Sequence, residues 1–145
     1  MSKRAVGLSH WLVKSEPDSF SWDQQVAKKA EPWTGVRSHQ AKSNLLAMRR
    51  GDLAFFYHSN TGREIVGVVE VVREAYPDPT ADTEGWVCVD MSARGPLARP
   101  VTLASLKADP AFADFALVRQ SRLSVLPVSA EHWQRIITMG GWQRA

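Results

Sequence analysis

The chain has 145 residues, 44% hydrophobic and 23% charged, with a formal net charge of +3; these values suit one globular domain with an ordinary core, placed over residues 8–142 behind a short tail, 1–7. No apolar run can span a bilayer and the opening MSKRAVGLS lacks a signal-peptide core, so no membrane partner is expected. The lone Cys88 cannot close an internal disulfide, which fits the reducing cytoplasm, or the nucleus in a eukaryote.

Residues 10–16 (HWLVKSE) alternate as a strand, with Trp11, Val13 and Ser15 on one face and Lys14 and Glu16 on the other. Pro17 ends the pairing. Ser21 followed by Gln24 reads as a capping box, and Trp22, Val26 and Ala30 predict one buried helical stripe that stops at Glu31-Pro32. A second helix begins at Ser38 and runs to about Arg50, with Ala41, Leu45 and Met48 inward and Leu46 widening that face. Arg49 and Arg50 suit its C-terminus, and Gly51 can supply a left-handed stop. LAFFY (53–57) is apolar throughout, as in a strand buried on both faces. The turn SNTGR leads into IVGVVEVV, a hairpin partner with a bulge expected at Gly67.

An acidic loop from Pro77 to Glu84, carrying Asp78 and Asp82, is expected to be solvated, and WVCVDM (86–91) forms another strand. GPLARP reads as a turn, Thr102 as the cap of a short helix carrying Leu103 and Leu106, and Asp109-Pro110 as a further helix start. A last strand falls within 122–128. Ser129 caps a final helix with Trp133, Ile136 and Ile137 inward, closed by Gly140-Gly141. Strands interleaved with short helices argue for an α+β domain around a strongly curved sheet.

Candidate chemistry gathers between Trp33 and Asn60. Trp33, in a loop after Pro32, suits either stacking on an extruded base or anchoring the loop on the first helix. Val36 offers an apolar wall and backbone groups. Arg37 stands before the Ser38-capped helix, where free N–H groups favour phosphate; a solvated arginine is the plain alternative. Gln40, Lys42 and Asn44 lie on the polar side of that helix, and an amide can read a base edge. Tyr57, His58, Ser59 and Asn60 end a buried strand, where side chains either line a cavity or cap the loop. Arg119, Gln120, Ser121 and Arg122 form a second polar block on the expected phosphate side. Strand alternation separates Ser15 from Lys14 and Glu16, so these three make no local catalytic triad. His10, His39, His58 and His132 lack metal-ligand spacing, and no Gly-rich phosphate loop is present, so neither a metal nor a cofactor is expected.

The blocks WLVKSEP, WTGVRSHQAKSN, GDLAFFYHSN, GVVEVVREAYPDPT and VRQSRLSVLPVS, which together span most of Trp11 to Gly141, resemble the EVE domain family of the PUA-like superfamily, the family of the thymocyte nuclear proteins. Ser38-His39 departs from the Asn-Tyr of many relatives. The resemblance implies a PUA-like fold, a barrel-like mixed sheet flanked by several short helices, and kinship with YTH domains, which hold a modified base in an aromatic pocket. It implies a nucleic-acid-binding module that recognises a modified base in DNA or RNA, with modified cytosine a leading candidate. The expected ligand-binding set is Ser15, Trp33, Val36, Arg37, Gln40, Asn44, Tyr57, His58, Ser59 and Asn60. The phosphate-binding set is Arg37, Lys42, Arg119, Ser121 and Arg122. Two other functions fit the same residues: a hydrolase acting on a modified nucleoside, using Lys14 or Glu16, and a sensor of a small nucleotide-like metabolite.

Overall fold

The uninterrupted apolar run at Leu53 becomes β3 (Leu53–His58), with five consecutive buried residues, and it lies inside the sheet as a doubly covered strand must. The computed structural model describes residues 9–142, so the tail expected over 1–7 lies outside the described residues. β3 is flanked by β1 (His10–Ser15) and β4 (Glu64–Pro77). With β2 (Glu31–Pro32), β5 (Val87–Thr102) and β6 (Val125–Val128) they form one mixed six-stranded sheet in the order β2-β5-β4-β3-β1-β6. β1 and β3 pair in parallel, with Ser15 opposite His58, and the remaining pairs are antiparallel. The sheet does not close into a barrel. Its edges are the two-residue β2 and the short β6, and Pro32 and Pro127 deprive both of a full row of N–H donors.

Short helices fill the connections: α1 (Trp22–Ala27), α2 (His39–Ala47), α3 (Leu103–Ala108), a 3-10 turn (Pro110–Phe112), α4 (Ala116–Arg119) and α5 (Ala130–Gly140). Their caps follow local sequence. Ser21, Ser38, Thr102, Asp109 and Ser129 each accept a backbone N–H two or three residues on, and Gly141 closes α5 at φ 73°.

The expected bulge is present. Pairing of β3 with β4 shifts between Phe56 and Tyr57, opposite Gly67, and β4 against β5 shifts between Ile65 and Gly67. A Cβ on Gly67 would lie 2.5 Å from the Trp22 ring, so the missing side chain is what lets α1 seat its indole on the sheet. Gly67→Ala is expected to cost about 1–3 kcal/mol through overpacking, read as a lowered denaturation midpoint. Gly67→Ala should cost less in a Trp22→Leu background than in the wild type; an equal cost in both backgrounds would place it in the backbone instead.

Several expectations change in three dimensions. Val26 is 55% exposed and Ala30 lies beyond α1, because that helix has only six residues and buries the i, i+3 pair Trp22 and Gln25. Leu46 is likewise exposed, leaving Ala41, Leu45 and Met48 as the inward face. α2 stops at Ala47, with Met48 already extended, so Arg49 and Arg50 lie past its end and Gly51 (φ 95°) serves the turn into β3. GPLARP is not a turn: residues 95–100 continue β5, because bulges let it follow the long β4, with Val68 opposite Gly95 and Gly67 opposite Pro96.

Candidate nucleic-acid interface

Because β1 and β3 are parallel, both end at the same side of the sheet, and the Ser59 amide donates to the Ser15 carbonyl at 2.9 Å to lock the two ends together. In open α/β sheets, ligands commonly sit beyond the carboxyl ends of parallel strands. Two adjoining cavities open there, and they share Lys14 and Glu16.

The first, of about 420 Å3, is walled by Ser15, Glu16, Phe20, Glu31, Trp33 and Thr34 together with Lys14. Trp33 is only 8% exposed. Its ring meets Phe56 edge-on at 5.7 Å and Phe20 at 6.2 Å, and its amide donates to the Val89 carbonyl at 2.7 Å. Trp33 is therefore a fixed wall of the cavity and a core residue at once. The Ser15 hydroxyl donates to the Phe20 carbonyl, which pins the turn that carries Phe20 across the cavity.

The second cavity, of about 530 Å3, holds Tyr57, Ser59, Asn60 and Ser121 among four cationic side chains, Lys14, Arg63, Lys107 and Arg122; Glu16 is its one carboxylate. The Lys14 ammonium donates to the Ser121 carbonyl at 2.8 Å and stands 6.0 Å from the centre of the Tyr57 ring. Burial pushes the Lys14 pKa down and that of Tyr57 up, the latter opposed by the charge of Arg63. A third hollow, with Ser38, Gln40, Gln120 and Leu123, adjoins this one through Ser121 and Arg122. Ser15, Trp33, Gln40, Tyr57, Ser59, Asn60, Ser121 and Arg122 are thus brought to one end of the sheet from five separate segments.

Other expected site residues are engaged elsewhere. The Arg37 guanidinium bonds Asp78 at 3.0 Å, Thr80 at 3.1 Å and the Val36 carbonyl at 3.0 Å. Asp78 is not solvated as expected from the acidic loop. Its side chain is fully buried, and it also accepts from the Gly35 amide at 2.9 Å and from the Thr80 amide and hydroxyl at 2.7 Å. Burial works against that carboxylate, yet the donors from Thr80, Gly35 and Arg37 outweigh it and hold its pKa well below the usual range. Val36 is in the core. The Asn44 amide donates to the Val125 carbonyl at 2.7 Å, tying α2 to β6. His58 accepts the Trp22 amide on Nε2 at 3.1 Å, and burial lowers its pKa, so its neutral form suits the bond. Lys42 lies 5.8 Å from the Trp86 ring, and Arg119 is exposed at the end of α4, outside the three hollows.

Sequence reasoning missed Arg63 and Lys107. Asn60 (φ 65°) and Arg63 (φ 50°) both adopt left-handed backbone, rare for arginine, so the tight SNTGR turn was the available signal. Lys107 sits at the end of α3, 44 positions from Arg63, and carried no local mark. Among the described residues no His, Cys, Asp and Glu cluster could hold a metal ion, and no helix is long and apolar enough to cross a membrane.

The NMR structure of a Rhodopseudomonas palustris protein is 60% identical and superposes with a TM-score of 0.87, covering 92% of this chain and 94% of its own. The crystal structure of an Agrobacterium tumefaciens protein is 46% identical with a TM-score of 0.89, over 92% and 93% of the two chains. Human thymocyte nuclear protein 1 is 33% identical, covering 90% of this chain and 73% of its own length. A crystal structure of that human protein, in complex with 5-methylcytosine containing DNA, gives a TM-score of 0.84 over 93% of this chain and 99% of the other, at 32% identity. The model of the EVE domain matches residues 9–139, nearly all of the described chain, and the protein belongs to that family.

Proposed function

We propose that this protein is a binding module for DNA carrying a modified cytosine, of which 5-methylcytosine is the first candidate. The observation that carries this proposal is the crystallised complex of the human relative with 5-methylcytosine containing DNA, at 32% identity over nearly the whole domain. The site supports it chemically. The cavity beside Trp33 and Phe20 offers apolar walls for a planar base and its methyl group, while Ser15, Glu16 and Thr34 supply polar groups for its edge. The adjoining cationic cavity suits the strand that carries the base. Extruding a base costs a few kcal/mol, which wall contacts and edge hydrogen bonds must offset.

The test is titration of labelled oligonucleotides that differ only in one 5-methyl group, followed by anisotropy at several salt concentrations. Methylated DNA should bind more tightly than unmethylated DNA, and equal affinities would sink the proposal. Trp33→Ala should lower affinity for the modified strand by about 1–3 kcal/mol while leaving the salt dependence nearly unchanged. Thermal melts must accompany it, because the indole also packs on Phe56. If the folded Trp33→Ala protein discriminates normally, the base lies elsewhere.

A further inference from the structure

Among the described residues, Lys14, Arg63, Lys107 and Arg122 have no carboxylate partner, although they surround one cavity. Other cations on this chain do find partners: Arg37 with Asp78, Arg94 with Glu70, and Arg135 with Glu131. Four like charges held around one hollow repel each other, and Glu16, the single lining carboxylate, bridges none of them. Two of the four are fixed in place rather than trailing in solvent. Lys14 is anchored on the Ser121 carbonyl, and Arg63 is held by left-handed backbone, with its Nε on the Asn60 carbonyl at 3.3 Å and its carbonyl accepting from the Leu103 amide at 2.9 Å. Serine hydroxyls at 59, 121 and 124 and the Asn60 amide add neutral hydrogen-bonding groups on the same walls. Arg37, one of the three arginines that the sequence points to, is already committed to the buried Asp78.

We infer that the cavity formed by Lys14, Arg63, Lys107 and Arg122 is the phosphate-binding site of this module, taking a phosphoryl group bonded to the nucleoside whose base enters beside Trp33. The inference rests on the proposed function and adds to it the residues that hold the backbone. The shared wall of Lys14 and Glu16 explains how one ligand reaches both hollows, since a nucleoside and its phosphate are covalently adjacent. Burial disfavours the charge on Lys14, and a bound phosphate would favour it.

The double variant Arg63→Asn with Lys107→Gln tests this. Asparagine tolerates the left-handed backbone at position 63, so the charge is removed without forcing the turn. A matched control, Arg94→Gln with Arg135→Gln, removes the same charge from ion-paired surface positions. With single-stranded oligonucleotides the double variant should bind about tenfold or more weakly, and the slope of log affinity against log salt should become shallower by about 1.4. The ratio between methylated and unmethylated strands should stay as in the wild type, and the control should keep the full slope. Deoxycytidine 5′-monophosphate is the second probe. Competition by it as effective as that of the oligonucleotide would identify a free nucleotide as the source of the phosphate, and weak competition an internal phosphodiester. Unchanged affinity and slope in the double variant, with methyl preference intact, would overturn this inference and leave the function standing. A wild type indifferent to methylation but sensitive to the double variant would do the reverse. If neither oligonucleotide nor monophosphate binds the wild type, both fail.

Discussion

Phe56→Ala is expected to lower the unfolding free energy by about 3–5 kcal/mol and to weaken recognition of the base in the same variant. Phe56 is fully buried at the centre of β3, and its ring meets Trp22 at 5.3 Å, Trp33 at 5.7 Å, His58 at 5.6 Å and Phe20 at 6.4 Å. Removing it forfeits the transfer free energy of the ring and leaves a void that α1, the Trp33 loop and the Phe20 turn cannot all collapse into. Trp33 and Phe20 line the cavity proposed for the base, so the void should loosen that wall. Phe55 is the natural comparison. It is equally buried but stacks on Trp133 at 3.9 Å, on α5, away from the cavity. Phe55→Ala should destabilise by a similar amount and spare the methyl preference of the protein that remains folded. Urea denaturation and oligonucleotide titration of both variants measure this; a loss below about 1 kcal/mol for Phe56→Ala would mean that the aromatic cluster repacks freely.

Asp78→Ala should cost about 3 kcal/mol, because it removes a buried carboxylate that gathers the Gly35 amide, the Arg37 guanidinium and both donors of Thr80. Arg37→Ala should cost less, since the carboxylate would keep Gly35 and Thr80 as donors. The pH dependence has a definite sign. The folded-state pKa of Asp78 lies below its ordinary value of 3.8, so its contribution is fully present above that value and declines as pH falls toward the folded pKa. The stability gap between wild type and Asp78→Ala should be constant between about pH 7 and 5 and smaller at pH 3. Chemical denaturation across that range checks it, and a gap that grows in acid would contradict the assignment. The same variant frees Arg37 and unpins Gly35, so the Trp33 loop should become more mobile.

Much of the architecture was legible in the chain because its causes are local. A Ser, Thr or Asp cap needs only a backbone N–H two or three residues on, which is why Ser21, Ser38, Thr102, Asp109 and Ser129 mark helix starts without knowledge of the fold. The apolar run at 53–57 suits a strand covered on both faces, since five residues between turn signals are too few for a buried helix. Val26 and GPLARP were misleading for the complementary reason. Periodicity does not say where a helix stops, and a Gly-Pro pair marks a turn only if no long neighbouring strand holds it in register.

The site divides along the same line. The aromatic and polar residues proposed for it, Trp33 and the Tyr57–Asn60 strand end, could be named from composition and position, and the family could be recognised from peptide blocks. Of the cations that line the second cavity, Arg122 could be named too, whereas Arg63 and Lys107 could not. Arg37 meets its carboxylate 41 positions away. Lys14, Arg63, Lys107 and Arg122 converge only because β1 and β3 run parallel, the β3–β4 turn folds over their ends, and α3 and the segment after α4 close the far wall. A side chain's charge is written in the sequence; whether that charge is neutralised or left facing a cavity depends on strand order, and strand order is set by packing between residues far apart in the chain.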